Sequence, residues 1–363
     1  MNESLTSRQI FFLIFGVIVG YGVVNIAKTV AEAAGSGGWI SLTISTLIAS
    51  IITYIIVYIG YVHKNKTLYD YSQILVGKTV TSIFIFIYII YFFLIFAMIT
   101  RISSEIIRLT ILIKTPVYVI CLLFFLVTYY AVIKGLRNIA RICELYGIII
   151  IFSALIIHFL VFTQGTLINL RPFFRNGDIE MYFKSLGKTL FPFLGMEVLT
   201  FVPIHEKNTK KVFRYAISAI IFVGIIYIIV VESCISVMGV DDIIHYKDSL
   251  IATLRRISIP YLQFLRRVDG IVLTIWIMSV FCTIIIYAYG TVFYISKHSN
   301  IQFNILTFII ITAAFIVSQF PKTFEEIEKA LEYISYLGLF CAIIIPITLL
   351  IITKVKKYDK KIS

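Results

Sequence analysis

The sequence predicts an all-α polytopic membrane protein, a single transmembrane domain over residues 1–363 with ten membrane-spanning helices. Two observations carry that prediction. The chain is 60% hydrophobic, only 14% charged, and has a mean hydropathy of +0.98, a balance foreign to soluble domains of this length. Its apolar residues also come in runs of about 20 or more, the length at which a helix crosses the hydrocarbon core, and its charges collect in short caps between those runs.

Taken in order, the spans fall at roughly 9–33, 39–62, 80–105, 116–134, 139–162, 184–204, 212–238, 262–294, 303–320 and 332–353. The long third and eighth spans imply tilt or protrusion beyond the membrane. Span 1 is punctuated by Gly16, Gly20 and Gly22, with Tyr21 between the last two and Asn25 and Lys28 following. Span 6 reads Phe191-Pro192-Phe193-Leu194-Gly195-Met196-Glu197 at its centre. Proline removes a backbone donor and clashes with the preceding turn, and glycine loosens the chain beyond it. Both spans are therefore expected to break at mid-depth. They are the first members of two five-helix halves, 9–162 and 184–353, and interrupted segments in corresponding positions point to a transporter-type binding site. Glycines that simply let helices pack closely are the competing explanation for span 1.

Between the spans, 67–78 has Leu68, Tyr71 and Leu75 at helical spacing and is expected to form an interfacial helix. The stretch 238–260 mixes charge with short apolar runs and is expected to cover the outer surface. Lysine and arginine in the caps on one side (Arg8, Lys64, Lys134, Arg137, Lys207, Lys210 and the tail after Ile352 among them) outnumber those on the other, which places both termini in the cytoplasm. The net charge of +13 is thus a membrane-surface feature, and a nucleic-acid partner is not implied. The start, MNESLTSRQI, lacks the order of a signal peptide.

Chemistry-bearing motifs are scarce. No G-x-x-x-x-G-K-[ST], H-E-x-x-H or G-x-S-x-G occurs, so no enzyme, metal site or cofactor is indicated. The five cysteines are far apart in apolar segments and suggest neither zinc nor disulfides. Glu197 is the sharpest single residue, because a carboxyl group at membrane depth is costly. It either meets a ligand ammonium or caps the amides of the broken helix. His158, the only histidine at depth, either relays a proton or bonds to a neighbour. Lys28 with Glu32, and Arg101 with Glu105 and Arg108, stand at ion-pair spacing. Thr283 and Tyr287 share a face of span 8, as Phe93 and Ala97 do on span 3; these offer a pocket wall or plain packing.

The order of these features resembles the B subunit of GerA-type spore germination receptors, the spore permease family of the amino acid–polyamine–organocation superfamily. The likeness covers nearly the whole chain: Ser7-Arg8-Gln9, Gly20-Tyr21-Gly22, Ala31-Glu32-Ala33-Ala34-Gly35 running into Trp39-Ile40-Ser41, ILVGK at 74–78, Thr115-Pro116, Gly135-Leu136 with Ile139-Ala140-Arg141, Phe191 to Glu197, then Arg267, Asp269 and Trp276. Arg266 departs from the usual glutamate, and Ser36-Gly37-Gly38 from the usual Gln-Asp-Ala. The resemblance implies a LeuT-type inverted five-plus-five fold with broken helices 1 and 6. It implies a ligand between helices 1, 3, 6 and 8, touching Gly20, Tyr21, Gly22, Phe93, Ala97, Phe191, Leu194, Gly195, Thr283 and Tyr287. Pro192, Glu197, Arg267 and Asp269 would be structural or coupling residues. The function implied is nutrient sensing in the spore inner membrane, with an amino acid as germinant and A and C subunits as partners. An amino acid or polyamine symporter is the alternative, and an ion-conducting subunit a third. Transporting relatives with a coupling lysine on helix 5 find no counterpart here, which argues against proton-coupled transport.

Overall fold

Among the described residues each of the ten apolar runs is helical, the sixth in fragments, and local capping and turn residues explain several of the boundaries. The structure is a computed structural model that describes residues 5–174, 176–204, 209–246, 248–256, 268–299 and 301–358. Among the described residues all regular structure is helical.

The first crossing, α1 (Ser7–Ala34), opens on a reciprocal cap: Thr6 Oγ1 accepts from the Gln9 amide at 3.2 Å and the Gln9 side chain accepts from the Thr6 amide at 3.0 Å. Such a box satisfies two of the amides that every helix start leaves over. Gly35, at φ 58°, ends it, a left-handed value that only glycine adopts freely. A short 3₁₀ turn leads into α2 (Gly38–Val62). The third helix, α3 (Leu68–Thr110), contains both the helical segment expected at 67–78 and the third crossing, separated by Gly77 at φ 82°. Thr67 and Asp70 cap its start. Helices α4 (Val117–Ile133) and α5 (Leu136–Thr163) follow, turned on Gly135 at φ 85°.

The sixth crossing is assembled from fragments. These are α6 (Ile179–Lys184), α7 (Leu186–Thr189) and two 3₁₀ turns, Phe191–Phe193 and Met196–Phe201, either side of Gly195 at φ 134°. Helix α8 (Thr209–Met238) is the seventh crossing. Within the 238–260 stretch the described residues form α9 (Val240–Ile243) and α10 (Ser249–Arg256), with Ser249 to Leu254 buried against α1 and α8, and 257–260 lie outside the described residues. Crossings eight and nine are α11 (Val268–Ser296) and α12 (Phe303–Ser318). The tenth runs through α13 (Phe324–Leu339), a π-helical turn Phe340–Ile344, and α14 (Ile345–Val355). Pro346 explains that bulge: it has no N–H to return to the preceding turn. The Tyr88 hydroxyl of α3 donates instead to the Cys341 carbonyl at 2.7 Å.

The chain differs from expectation at the first crossing. Gly20-Tyr21-Gly22 lies inside one continuous α-helix, so span 1 is not snapped. Gly20 instead allows close approach: a Cβ there would come within 2.0 Å of Thr283 Oγ1 and 2.8 Å of the Ser279 carbonyl. What loosening exists is local. Thr283 Oγ1 lies 3.0 Å from both the Gly16 and Val17 carbonyls, and the Tyr227 hydroxyl donates to the Ile18 carbonyl at 2.9 Å. Near its far end, the Ser249 hydroxyl bridges the Val24 carbonyl (3.1 Å) and the Lys28 amide (3.3 Å), the pair that closes a helical turn. Spans 1 and 6 nonetheless pack side by side at the centre of the bundle, flanked by α2, α8 and α11.

Candidate functional site

A cavity of about 220 Å³ lies where α1, α3, the broken sixth crossing, α11 and α13 converge. The elbow that shapes it follows from the Pro192–Gly195 sequence. Leu194 leaves the helix in an extended conformation and Gly195 takes a backbone angle closed to other residues. A broken helix in a membrane is tolerated only where protein meets its freed polar groups. Here the neighbours do so. The Gly195 amide donates to Glu197 Oε2 at 2.8 Å, and the Tyr227 hydroxyl shares its one proton between the Pro192 carbonyl at 3.0 Å and the Ile18 carbonyl at 2.9 Å.

Glu197 is completely buried and accepts from three donors: Gly195 on one oxygen, and Tyr91 (2.8 Å) and Tyr287 (2.9 Å) on the other. The network continues inward. Thr200 Oγ1 donates to the Glu197 carbonyl at 2.6 Å, and the Tyr294 hydroxyl donates to Thr200 at 2.7 Å. Of the two readings of Glu197, capping of the elbow is therefore the arrangement present. Its carboxyl group is enclosed by tyrosines and does not form part of the cavity wall.

Of the residues singled out for ligand contact, Gly22, Phe191, Leu194, Thr283 and Tyr287 line the cavity, with Pro192 beside them. Gly20 is packed against α11, Gly195 against Val17 and Ile18, and Ala97 inside the bundle. Phe93 packs edge-on against Phe96, away from the cavity lining. These four do not line the cavity. The Tyr21 side chain, Arg267 and the Asp269 side chain lie outside the described residues.

Several wall residues escaped the sequence reading. Val17, Ile18, Ile95 and Ile99 were hidden as ordinary core aliphatics. The mouth, at the end of the bundle opposite the chain termini, carries Asn25, Thr29, Lys188, Glu328, Glu332 and Ser335. Glu328 and Glu332 come from α13, at the start of the tenth crossing, and the sequence reading singled out neither as a site residue. Their four-residue spacing on α13 was the available signal. Asn25 Nδ2 reaches Glu328 Oε1 at 3.5 Å, while Asn25 Oδ1 is buried without a donor among the described residues. A neutral interior and a mouth of mixed charge suit a small molecule with separate charged and apolar parts.

The remaining polar expectations resolve as local structure. Lys28 pairs with Glu32 at 3.8 Å and Arg101 with Glu105 at 3.9 Å, while Arg108 also bonds Glu105. His158 Nδ1 meets the Ser233 hydroxyl at 2.7 Å, a bond between α5 and α8.

A family model described as spore germination protein matches residues 4–327. The chain is 26% identical to spore germination protein YndE of Bacillus subtilis over 99% of both chains. It is 27% identical to spore germination protein A2 of the same organism over 92% of this chain and 91% of that one. Among solved structures, it is similar to a Na+-coupled sialic acid symporter in a substrate-bound outward-open state. The TM-score is 0.68 at 11% identity, over 94% of this chain and 77% of that one. At that identity the likeness is one of fold, and the fold is of the LeuT type expected.

Proposed function

The chain belongs to the spore germination protein family, and from that premise we propose that its cavity binds a small nutrient and that this binding starts germination. The protein is an integral membrane protein without enzymatic activity. In the reading put forward here it is the B subunit of a germinant receptor in the spore inner membrane, both termini cytoplasmic, working with A and C subunits. Residues 9–162 and 184–353 form its two inverted repeats.

The observation that carries this reading is the cavity at the elbow, with an unpartnered Asn25 Oδ1 and two α13 carboxylates at its mouth. An amino acid matches each feature. Its ammonium would meet Asn25 Oδ1 and Glu328, its carboxylate would meet Lys188, and its side chain would lie against Ile95, Ile99, Phe191 and Leu194. Sensing asks only that the ligand favour one of two conformations.

Binding of radiolabelled amino acids to protein in nanodiscs tests this. Saturable binding that Leu194→Trp removes, with unfolding temperature unchanged, is the expected result. No saturable binding, together with normal germination of spores carrying Gly20→Trp or Thr283→Leu, would overturn it. The transporter likeness favours a second reading, an amino acid or polyamine symporter. Gradient-driven uptake into proteoliposomes would establish that one, and binding without uptake would establish the sensor.

A further inference from the structure

A second cleft lies against a neighbouring face of α1, between α5, α8 and α11, and shares no residue with the first. Phe15, Val19, Ile226, Val230 and Val272 make its walls hydrocarbon. Its volume, about 50 Å³, is several times what one water needs, yet water also needs polar partners on several sides. Three polar side chains break the apolar lining: His158, whose Nδ1 is already bonded to Ser233, and two donors on α11. Trp276 Nε1 and the Ser279 hydroxyl have no hydrogen-bond partner among the described residues, although the two residues are 4% and 2% exposed.

A buried donor without an acceptor costs about 1–3 kcal/mol, and two on one helix, three residues apart, share a face. Both line the same cleft. An indole N–H and a hydroxyl in hydrocarbon surroundings select a neutral acceptor, because an ion would lose its hydration without gaining a counter-charge. We propose that this cleft is a second ligand site, which takes an uncharged molecule with a carbonyl or ether oxygen on a slim hydrocarbon body. The oxygen and the few carbons next to it occupy the cleft, accepting from Trp276 and Ser279 beside Phe15, Val19 and Val230, and the rest of the chain extends out of it, because about 50 Å³ is less than a benzene ring needs. A membrane lipid, through an acyl ester, and a small ketone or ester from solution both present this chemistry.

The chain has only two tryptophans, Trp39 and Trp276, so Trp39→Phe leaves Trp276 as the sole indole, excited at the red edge where tyrosine does not absorb. Two arms distinguish the sources. In nanodiscs of ordinary lipid, a medium-chain methyl ketone brominated at its far end is titrated against Trp276 fluorescence. In the other arm, nanodiscs are made with lipid brominated along the acyl chain and no ketone is added. The expected result is saturable quenching by the ketone, competed by the bromine-free ketone. Ser279→Ala should raise its half-saturation about tenfold, and Ala154→Phe, which fills the cleft from α5, should abolish it. Quenching by brominated lipid that Ala154→Phe removes, with no saturable effect of the ketone, identifies a bilayer acyl chain as the occupant. Quenching that rises linearly in the ketone arm and is the same in both variants, with brominated lipid also insensitive to Ala154→Phe, overturns the proposal. Neither arm contains a germinant, so the outcome is independent of the elbow cavity.

Discussion

Glu197→Gln is the most discriminating substitution available, because it preserves size and should still fail. Both carboxyl oxygens accept: Oε2 from the Gly195 amide at 2.8 Å, Oε1 from the Tyr91 and Tyr287 hydroxyls at 2.8 and 2.9 Å. A carboxamide has one acceptor and one donor end. If its oxygen faces the tyrosines, its NH₂ opposes the Gly195 N–H. If it is flipped, the NH₂ meets two hydroxyls that must reorient, one of which has no other acceptor nearby than its partner. Either way at least one hydrogen bond is lost and a buried donor is left over, at a cost of about 1–3 kcal/mol. For a chain of 363 residues that is a fall of about 1–4 °C in unfolding temperature. The five cysteines are all buried and free, so a thiol-reactive dye reports unfolding directly in detergent or nanodiscs. Glu197→Gln and Glu197→Ala should unfold at similarly lowered temperatures. A Glu197→Gln protein within a degree of wild type would refute the reasoning, for it would mean the elbow does not depend on acceptance at both oxygens.

The same assay serves further expectations. Tyr91→Phe and Tyr287→Phe each leave Glu197 Oε1 one donor, and together they leave it none; the double variant should lose more than the sum of the singles, by about 0.5–3 kcal/mol, and strict additivity would count against a shared acceptor. Gly195→Ala should destabilise by more than 1 kcal/mol or so, because φ is 134° and its Cβ would stand 2.8 Å from Val17 and Ile18; a neutral result would show that the elbow is not held in this conformation. At the end of the bundle that holds the termini, burial, and then the nearby Lys66 charge, lower the His63 pKa from 6.5 to about 4. The unfolded chain therefore binds more protons between those values, so stability should fall as pH drops from about 6.5 towards 4. His63→Gln should flatten that slope, and an unchanged slope would place its origin elsewhere.

The apolar runs made the crossings legible because length and hydropathy alone decide whether a helix can span. Gly77 and Gly135 were visible as glycines, but their positive φ was not. The sixth-span break was legible for a local reason: Pro192 and Gly195 forbid a regular helix whatever surrounds them. The first-span break was misread because glycine has two uses. Gly20 and Gly22 can end a helix or admit a neighbour, and Thr283 and Tyr227, hundreds of residues away, decide for the second. The cavity mouth was illegible for a similar reason. Glu328 and Asn25 meet only after the chain folds, and nothing in either local stretch announces the other. Tyr91 as a partner of Glu197 was likewise lost among 23 tyrosines.

That asymmetry between the two central spans bears on how a ligand could act. Were both helices unwound, their freed amides and carbonyls would need the ligand to complete them, and the empty protein would carry the cost. Here α1 keeps its helical course, and the elbow's polar groups are met from within by Glu197 and Tyr227. The scaffold is thus complete before a ligand arrives, which lowers the ordering cost of binding. Affinity then depends on the mouth and the aliphatic wall, and any conformational signal must pass through what the elbow already holds. Among the described residues, Tyr287 is the one side chain that both lines the cavity and bonds Glu197. A ligand that displaces its ring by a fraction of an ångström strains the Tyr91–Glu197–Gly195 connection and, through Thr200 and Tyr294, the opposite half of the bundle. If the cavity binds a nutrient as proposed, Tyr287→Phe should therefore leave that binding within a fewfold of wild type while it weakens the germination response. Loss of both in equal measure would make Tyr287 a wall residue and nothing more.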